Sequence, residues 1–249
     1  MYGLALQLRA LFSAIFAAIC LLFCPAGHAL VISQVYGGGG NDGAPYANDF
    51  IEIFNDSAAS VNLDGHSVQY ASASGNSWQS TILSGPLGPY RYYLVQEAAG
   101  SGMFSALPTA DVAGGIHLGA SSGMVALVDG TAPLMSGCPS VSIVDPNVSI
   151  LDLVGYGSAN CYEGTAAVAG LSNALAALRL LDGLTDTGDN AGDFLVLAPA
   201  PRNSASPQNL PVVTLPGPRA TPLSEPPSLV LMLAGIIALP WLRRIRSSR

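Results

Sequence analysis

Asn48-Asp-Phe-Ile-Glu-Ile-Phe-Asn55 is the stretch from which the fold is read. From Asp49 to Asn55 it is dominated by aromatic and β-branched residues, the types enriched in strands, and it ends on asparagine. Successive side chains of a strand point to opposite faces, so Phe50, Glu52 and Phe54 share one face. A carboxylate alternating with two phenylalanines is expected to be a hydrogen-bonded structural group. Asp49 and Glu52 stand three apart and point to opposite faces, so this strand alone cannot bring them together for acid–base work.

Working outward, the same texture recurs at Leu30 to Tyr36, His66 to Ala71, Trp78 to Leu83, Arg91 to Gln96, Met124 to Val128 and Ile150 to Tyr156. Clusters of Gly, Pro, Asn, Asp and Ser separate these runs, a spacing that argues for an antiparallel sandwich or barrel. Ala166 to Leu181 fits either a helical stripe through Leu171, Leu175 and Leu178 or a core strand; its β surroundings favour extended structure. From Pro199 to Pro227 the chain is Pro-rich and reads as a semi-extended linker. No internal repeat is visible.

Both ends are hydrophobic. Arg9 precedes an apolar stretch from Ala10 to Cys24, followed by Pro25 and the small residues Gly27 and Ala29, the pattern of a secretory signal peptide cleaved between Ala29 and Leu30. A lipidated Cys24 is disfavoured because bulky Phe23 stands where a small residue is required. At the other end, Ser224-Glu225-Pro226-Pro227 leads into an apolar run from Leu229 to Leu242 and then Arg243, Arg244, Arg246 and Arg249. This run is shorter than the ~20 residues an untilted span needs, and the arginines mark a cytoplasmic end. The expected organisation is therefore a signal peptide (1–29), a domain (30–198), a linker with sorting motif (199–227), a transmembrane segment (228–242) and an Arg-rich end (243–249).

Charge narrows the function classes. The chain has no lysine, and residues 30–225 hold four arginines against all sixteen acidic residues, a net charge of −12. Nucleic acids and anionic membrane surfaces are bound by neutralising phosphates, so both are poor partners for this segment. Cys138 and Cys161 are the cysteines left after the signal peptide, and in an oxidising compartment they are expected to pair. The bond closes a loop of about 24 residues, worth on the order of 3 kcal/mol in the chain-entropy model.

Three motifs invite chemistry. Gly38-Gly39-Gly40-Asn41-Asp42-Gly43 fits a dinucleotide fingerprint, but Pro45 and another strand follow where a helix N-terminus is needed. Gly119-Ala120-Ser121-Ser122-Gly123 fits a nucleophile elbow near His117, yet it joins two strands, and none of the histidines, His28, His66 and His117, follows Ser121. The loop Asp182 to Asp193 concentrates oxygen ligands, with Asp186, Asp189, Asn190 and Asp193 the candidate set for Ca²⁺. It lacks the EF-hand order and closing Glu, and a network of Asx turns accounts for the same composition. No other cofactor is indicated, and no catalytic residue is nominated.

Two resemblances extend this reading. The tail resembles the PEP-CTERM sorting signal, with Ser224, Glu225 and Pro226 in place of its Pro-Glu-Pro element. That resemblance implies processing by an exosortase after signal peptidase, in Gram-negative bacteria that make extracellular polysaccharide. Val31 to Tyr36, Gly37 to Gly43, Asn48 to Asn55, Val68 to Ser72, Tyr92 to Glu97, Asp152 to Gly157, Asn160 to Gly164, Thr185-Asp186-Thr187 with Asp193-Phe194, and Pro201 to Ser204 together resemble a bacterial lamin-tail domain. His66 stands where that family usually shows Trp after its Leu-x-Gly turn, and Leu184 stands where the bacterial group often has a further Cys.

The resemblance implies an all-β, immunoglobulin-like sandwich without catalytic residues of its own, a domain type found alone on exported proteins and attached to secreted nucleases and phosphatases. The expected function is a non-enzymatic cell-surface or matrix protein, anchored through its tail as a precursor. The alternatives are an accessory of a secreted nuclease or phosphatase system and a calcium-stiffened module binding polysaccharide. Non-reducing peptide mapping is expected to return one linked pair carrying Cys138 and Cys161; two free thiols contradict the pairing.

Overall fold

The computed structural model describes residues 30–102, 104–135, 137–138 and 149–212. The stretch quoted first forms β2 (Asn48–Asn55), an interior strand, flanked antiparallel by β1 (Leu30–Tyr36) and β7 (Tyr92–Ala99). β8 (Val112–Ala113) adds parallel to β7, while β11 (Ala176–Arg179) and β12 (Phe194–Leu197) extend the other side, giving the order β12-β11-β1-β2-β7-β8. A second, fully antiparallel sheet runs β10 (Ser149–Tyr156), β9 (Gly123–Asp129), β4 (His66–Ala71), β5 (Gln79–Ile82). A two-stranded ribbon of β3 (Val61–Asn62) and β6 (Pro86–Leu87), a 3₁₀ turn at Leu180–Gly183 and a one-turn helix α1 (Asn190–Asp193) complete the described elements. The all-β expectation is met.

The strand period decides what faces what. Ile51 and Ile53 of β2, with Tyr93 and Val95 of β7, share one core with Val68, Tyr70, Val125, Leu127, Val154 and Tyr156 of the second sheet. This is the buried interior of a two-layer sandwich, where each fully buried Ile or Leu contributes roughly 1.5–3 kcal/mol relative to exposure. In β1 both Ile32 and Val35 reach that core although they stand three apart, because the register shifts between Ile32 and Gln34. A bulge of this kind inserts one residue and re-aims its neighbours. It sends Ser33 and Gln34 together to the outer face, where both meet Glu52.

Each sheet also has a buried outer face. On the first, Tyr36 stacks near Phe50 (centroids 5.5 Å apart) and Phe54 near Tyr92 (5.0 Å), with Glu52 between the two phenylalanines along β2. On the second, Trp78, Met124, Ala126, Val128, Ile150 and Leu153 cluster with Cys161. The Cys138–Cys161 disulfide is formed, with Cα atoms 5.1 Å apart.

The extended reading of Ala166 to Leu181 holds over Ala176–Arg179, after which the chain turns into 3₁₀ geometry. One sequence expectation is corrected. The Pro-rich segment does not leave the domain at residue 199: hydrogen bonds from Ala200, Arg202, Asn203, Ser204, Gln208 and Asn209 tie it down, and the unit that holds the sheets runs through Pro211. A Pro-rich extended backbone makes no internal hydrogen bonds, which leaves its N–H and C=O groups free for side chains of the sheet. The signal peptide including Ala29, the sorting motif Ser224, Glu225 and Pro226, the apolar run 228–242 and the arginine end lie outside the described residues; Leu30 opens β1. Among the described residues no helix is long and apolar enough to cross a membrane.

The Gly-rich turn after β1 is set by close backbone approach. A Cβ on Gly39 would lie 2.0 Å from the Asn48 carbonyl carbon, and the Gly39 N–H donates to Asp49 Oδ1 at 2.8 Å. Gly39→Ala is expected to cost about 1–3 kcal/mol in urea unfolding, as overpacking does. Gly115→Ala, where a Cβ meets nothing within 4 Å, is the matched control. Equal midpoints for the two variants contradict the packing.

Candidate functional site

With so few basic residues inside the domain, the natural place to look for a site is where arginine meets buried acid. Glu52 is fully buried on the outer face of β2. Its Oε1 accepts from Ser33 Oγ (2.6 Å) and Arg202 Nη2 (2.8 Å), and its Oε2 from Gln34 Nε2 (3.0 Å) and the Arg202 backbone N–H (2.6 Å). The Arg202 guanidinium lies 3.8 Å over the Tyr92 ring and also reaches Asp182 Oδ1 at 2.8 Å. Burial pushes the Glu52 carboxyl up and Arg202 pulls it back. Burial alone would lower the Arg202 value, but the charge of Glu52 holds it above its ordinary range. Four donors on one carboxylate and a stacked guanidinium make this a structural ion pair with no free face for a substrate.

Arg179, on β11, is the second centre. Its side chain is wholly buried; Nη2 meets Asp152 Oδ2 at 2.5 Å, Nε donates to the Ile32 carbonyl at 2.8 Å, and Nη1 reaches Asp186 Oδ1 at 3.1 Å. Asp193 Oδ2 lies 3.7 Å away and the Phe194 ring 4.5 Å below the guanidinium. Asp152 comes from β10, so the contact ties the second sheet to β11 of the first. Glu163 lies in the loop after β10, and burial together with the charges of Asp152 and Asp186 pushes its carboxyl up to about 8.

The loop nominated for Ca²⁺ is arranged as a turn network. Asp186 faces Arg179; Asp189 accepts from Thr165 N–H (3.0 Å) and Oγ1 (2.9 Å). Asn190 turns inward, its Oδ1 accepting from Gly155 N–H at 2.9 Å and its Nδ2 donating to the Leu153 carbonyl at 3.0 Å. Asp193 accepts from Thr187 N–H (2.8 Å) and Oγ1 (2.7 Å). The four side chains thus turn to separate protein donors, and among the described residues no three His, Cys, Asp or Glu side chains are grouped to hold a metal.

The other motifs are likewise absorbed by structure. Asp49 accepts from Gly39 and Leu118 N–H groups (2.8 and 3.0 Å); burial raises its carboxyl to about 6 against those bonds. Asp49 and Glu52 serve opposite faces of β2, as their spacing requires. In the Gly119 to Gly123 segment, Gly119 N–H donates to the Tyr70 hydroxyl and Tyr156 donates to the Gly119 carbonyl, both at 2.8 Å, and β9 follows directly rather than a helix. The sequence did not point to Arg179, Asp152 or Glu163. The available sign was arithmetic: where arginines are scarce and acids abundant, a domain arginine is a natural counter-ion for a buried carboxylate, as Arg179 and Arg202 are while Arg91 instead donates to the Ser206 carbonyl.

A family model described as Lamin Tail Domain matches residues 25–158, just over half of the chain. No curated protein matches. Among solved structures, the chain is similar to a DUF4876 family protein from Bacteroides thetaiotaomicron at 14% identity, covering 73% of this chain and 74% of that one with a TM-score of 0.44. The family match ends before β11, α1, β12 and the segment that carries Arg202.

Removing one partner of a buried, hydrogen-bonded pair strands the other charge. Arg202→Ala is therefore expected to lower unfolding free energy by about 3 kcal/mol, and Arg202→Lys to recover only part of that, because an ammonium lacks the fork and the flat face that stacks on Tyr92. A urea midpoint for Arg202→Ala equal to that of the parent protein contradicts the assignment.

Proposed function

Since this chain belongs to the lamin tail domain family, we propose that it is a non-catalytic binding or structural module of the bacterial envelope. It is exported by a cleaved signal peptide, held by its tail in the inner membrane, and passed to an exosortase-type protease for display at, or release from, the cell surface. The observation that carries this reading is the order of the tail: Ser224-Glu225-Pro226-Pro227, an apolar run to Leu242, then four arginines. A strongly acidic domain upstream of a basic terminus matches a division between exported cargo and cytoplasmic stop. The use of charge inside the domain supports a structural role, since Glu52, Asp152, Arg179 and Arg202 are spent on holding segments together. Ligands of a module like this are neutral or cationic surfaces, with neutral extracellular polysaccharide the class its setting favours.

Deleting residues 224–249 tests the address. In fractionated cells the parent protein is expected in the membrane fraction and then at the surface, and the truncated chain in the soluble periplasmic fraction. Identical fractionation of the two overturns the proposal.

A further inference from the structure

Among the described residues, the non-glycine positions with left-handed backbone are Tyr90 (φ 51°), Leu181 (φ 51°) and Asp182 (φ 57°). A residue with a Cβ is disfavoured there, most of all a bulky one, and it stays only where its surroundings hold it. The three belong to separate turns, one just before β7 and one just after β11, yet their carbonyls converge on a single residue. Asn209 donates its backbone N–H to the Tyr90 carbonyl at 3.1 Å and its Nδ2 to the Leu181 and Asp182 carbonyls at 2.8 and 3.3 Å. Gln208 Nε2 supports the same contact by donating to the Pro89 carbonyl at 2.7 Å.

Asn209 stands two residues before Pro211, where the unit that holds the sheets ends. From the turn it grips, the chain runs on to both arginine centres. Asp182 Oδ1 accepts from Arg202 Nη1 at 2.8 Å, and Arg179 Nη1 donates to the Thr185 carbonyl and Asp186 Oδ1 at 3.2 and 3.1 Å. We propose that Asn209 is a release clip at the root of the tail: seated, it holds the turns at 88–91 and 180–183 in their left-handed form, and when residues 206–211 lift, both turns relax together and Asp182 leaves Arg202. The state of the chain's exit is thereby passed into the domain as a change of loop conformation, while Glu52 keeps Arg202 and the sheet in place. The clip is built from domain residues alone, so it stands whether or not the tail is the sorting signal proposed above.

Native-state hydrogen exchange on the full-length protein reads the clip through the amides of Leu184, Thr185, Tyr90 and Asn209. The first two donate to the Leu181 and Leu180 carbonyls, both at 3.3 Å, and Tyr90 donates to the Ser57 carbonyl at 3.2 Å. These amides are expected to open as one unit, faster than those of β1 and β2 and with little response to sub-denaturing urea. Leu181 is 71% exposed, so Leu181→Gly removes little packing while giving the turn a residue that takes left-handed backbone without strain. That variant is expected to slow exchange at all of these amides by about fivefold, the Tyr90 amide of the other turn included. Asn209→Ala, which loses the Nδ2 bonds, is expected to speed exchange at Leu184, Thr185 and Tyr90 by about fivefold. A Tyr90 amide unmoved by Leu181→Gly overturns the proposal, because the two turns are then independent. Faster exchange in Leu181→Gly overturns it too, since glycine loosens an unstrained turn. So does exchange of these amides only at the rate of β1 and β2, which leaves no opening separate from global unfolding.

Discussion

A carboxylate fixed in the middle of a buried sheet face has to be matched by donors, and this requirement at Glu52 shapes the rest of the domain. An uncompensated buried ion costs several kcal/mol. Ser33 and Gln34 supply part of the answer through the β1 bulge, but the counter-charge comes from Arg202, 150 residues away. The chain's last described segment must therefore return across the first sheet before that face is closed. Gln34 reinforces the return by both donating to the Ala200 carbonyl (2.7 Å) and accepting its N–H (3.0 Å).

The opposite face uses the same device with different chemistry. Gln69 of β4, also fully buried, donates to the Ala132 carbonyl at 2.9 Å and accepts from Leu134 N–H at 2.8 Å. A covering loop is clasped there by one amide side chain and stapled by the disulfide. Between the two faces, Arg179 joins β11 to β10 through Asp152. Such a pair gives less net stability than its attraction suggests, because desolvation opposes it; its value lies in fixing which segments may pack together. A sandwich made of aliphatic residues alone would accept several registers. Three polar clasps that must each find distant partners admit one.

The sequence was informative where a pattern is local. Leu30–Tyr36 and His66–Ala71 form strands with the bounds expected, because β-branched and aromatic runs end at Gly or Ser turns. β8 has two residues and β12 four, too short for periodicity, and Phe194–Leu197 stands just before the prolines that dominate the reading of that region. The docking of the Pro-rich segment is not legible in its sequence, because prolines disfavour helix and sheet but say nothing about docking against side chains. The disulfide was legible from the two cysteines that remain downstream of the expected signal peptide. The charge network did not follow from any spacing: Arg179 and Asp152 are 27 residues apart, and only the sandwich topology brings β11 and β10 together. The oxygen-rich loop illustrates the converse, since Asp186, Asn190 and Asp193 have ligand chemistry, but their local turns aim them at Arg179, Gly155 and Thr187.

In the proposed setting the returning segment is also the link between domain and tail. Arg202 ties that segment to the first sheet through Glu52, a contact expected to persist as long as the sheet itself. Native-state amide hydrogen exchange on the full-length protein tests this most directly. The account predicts that the Ala200 and Arg202 amides exchange as slowly as those of β1 and β2, through global unfolding alone. Exchange of these two amides at the rate of an unstructured peptide, while β2 stays protected, contradicts it.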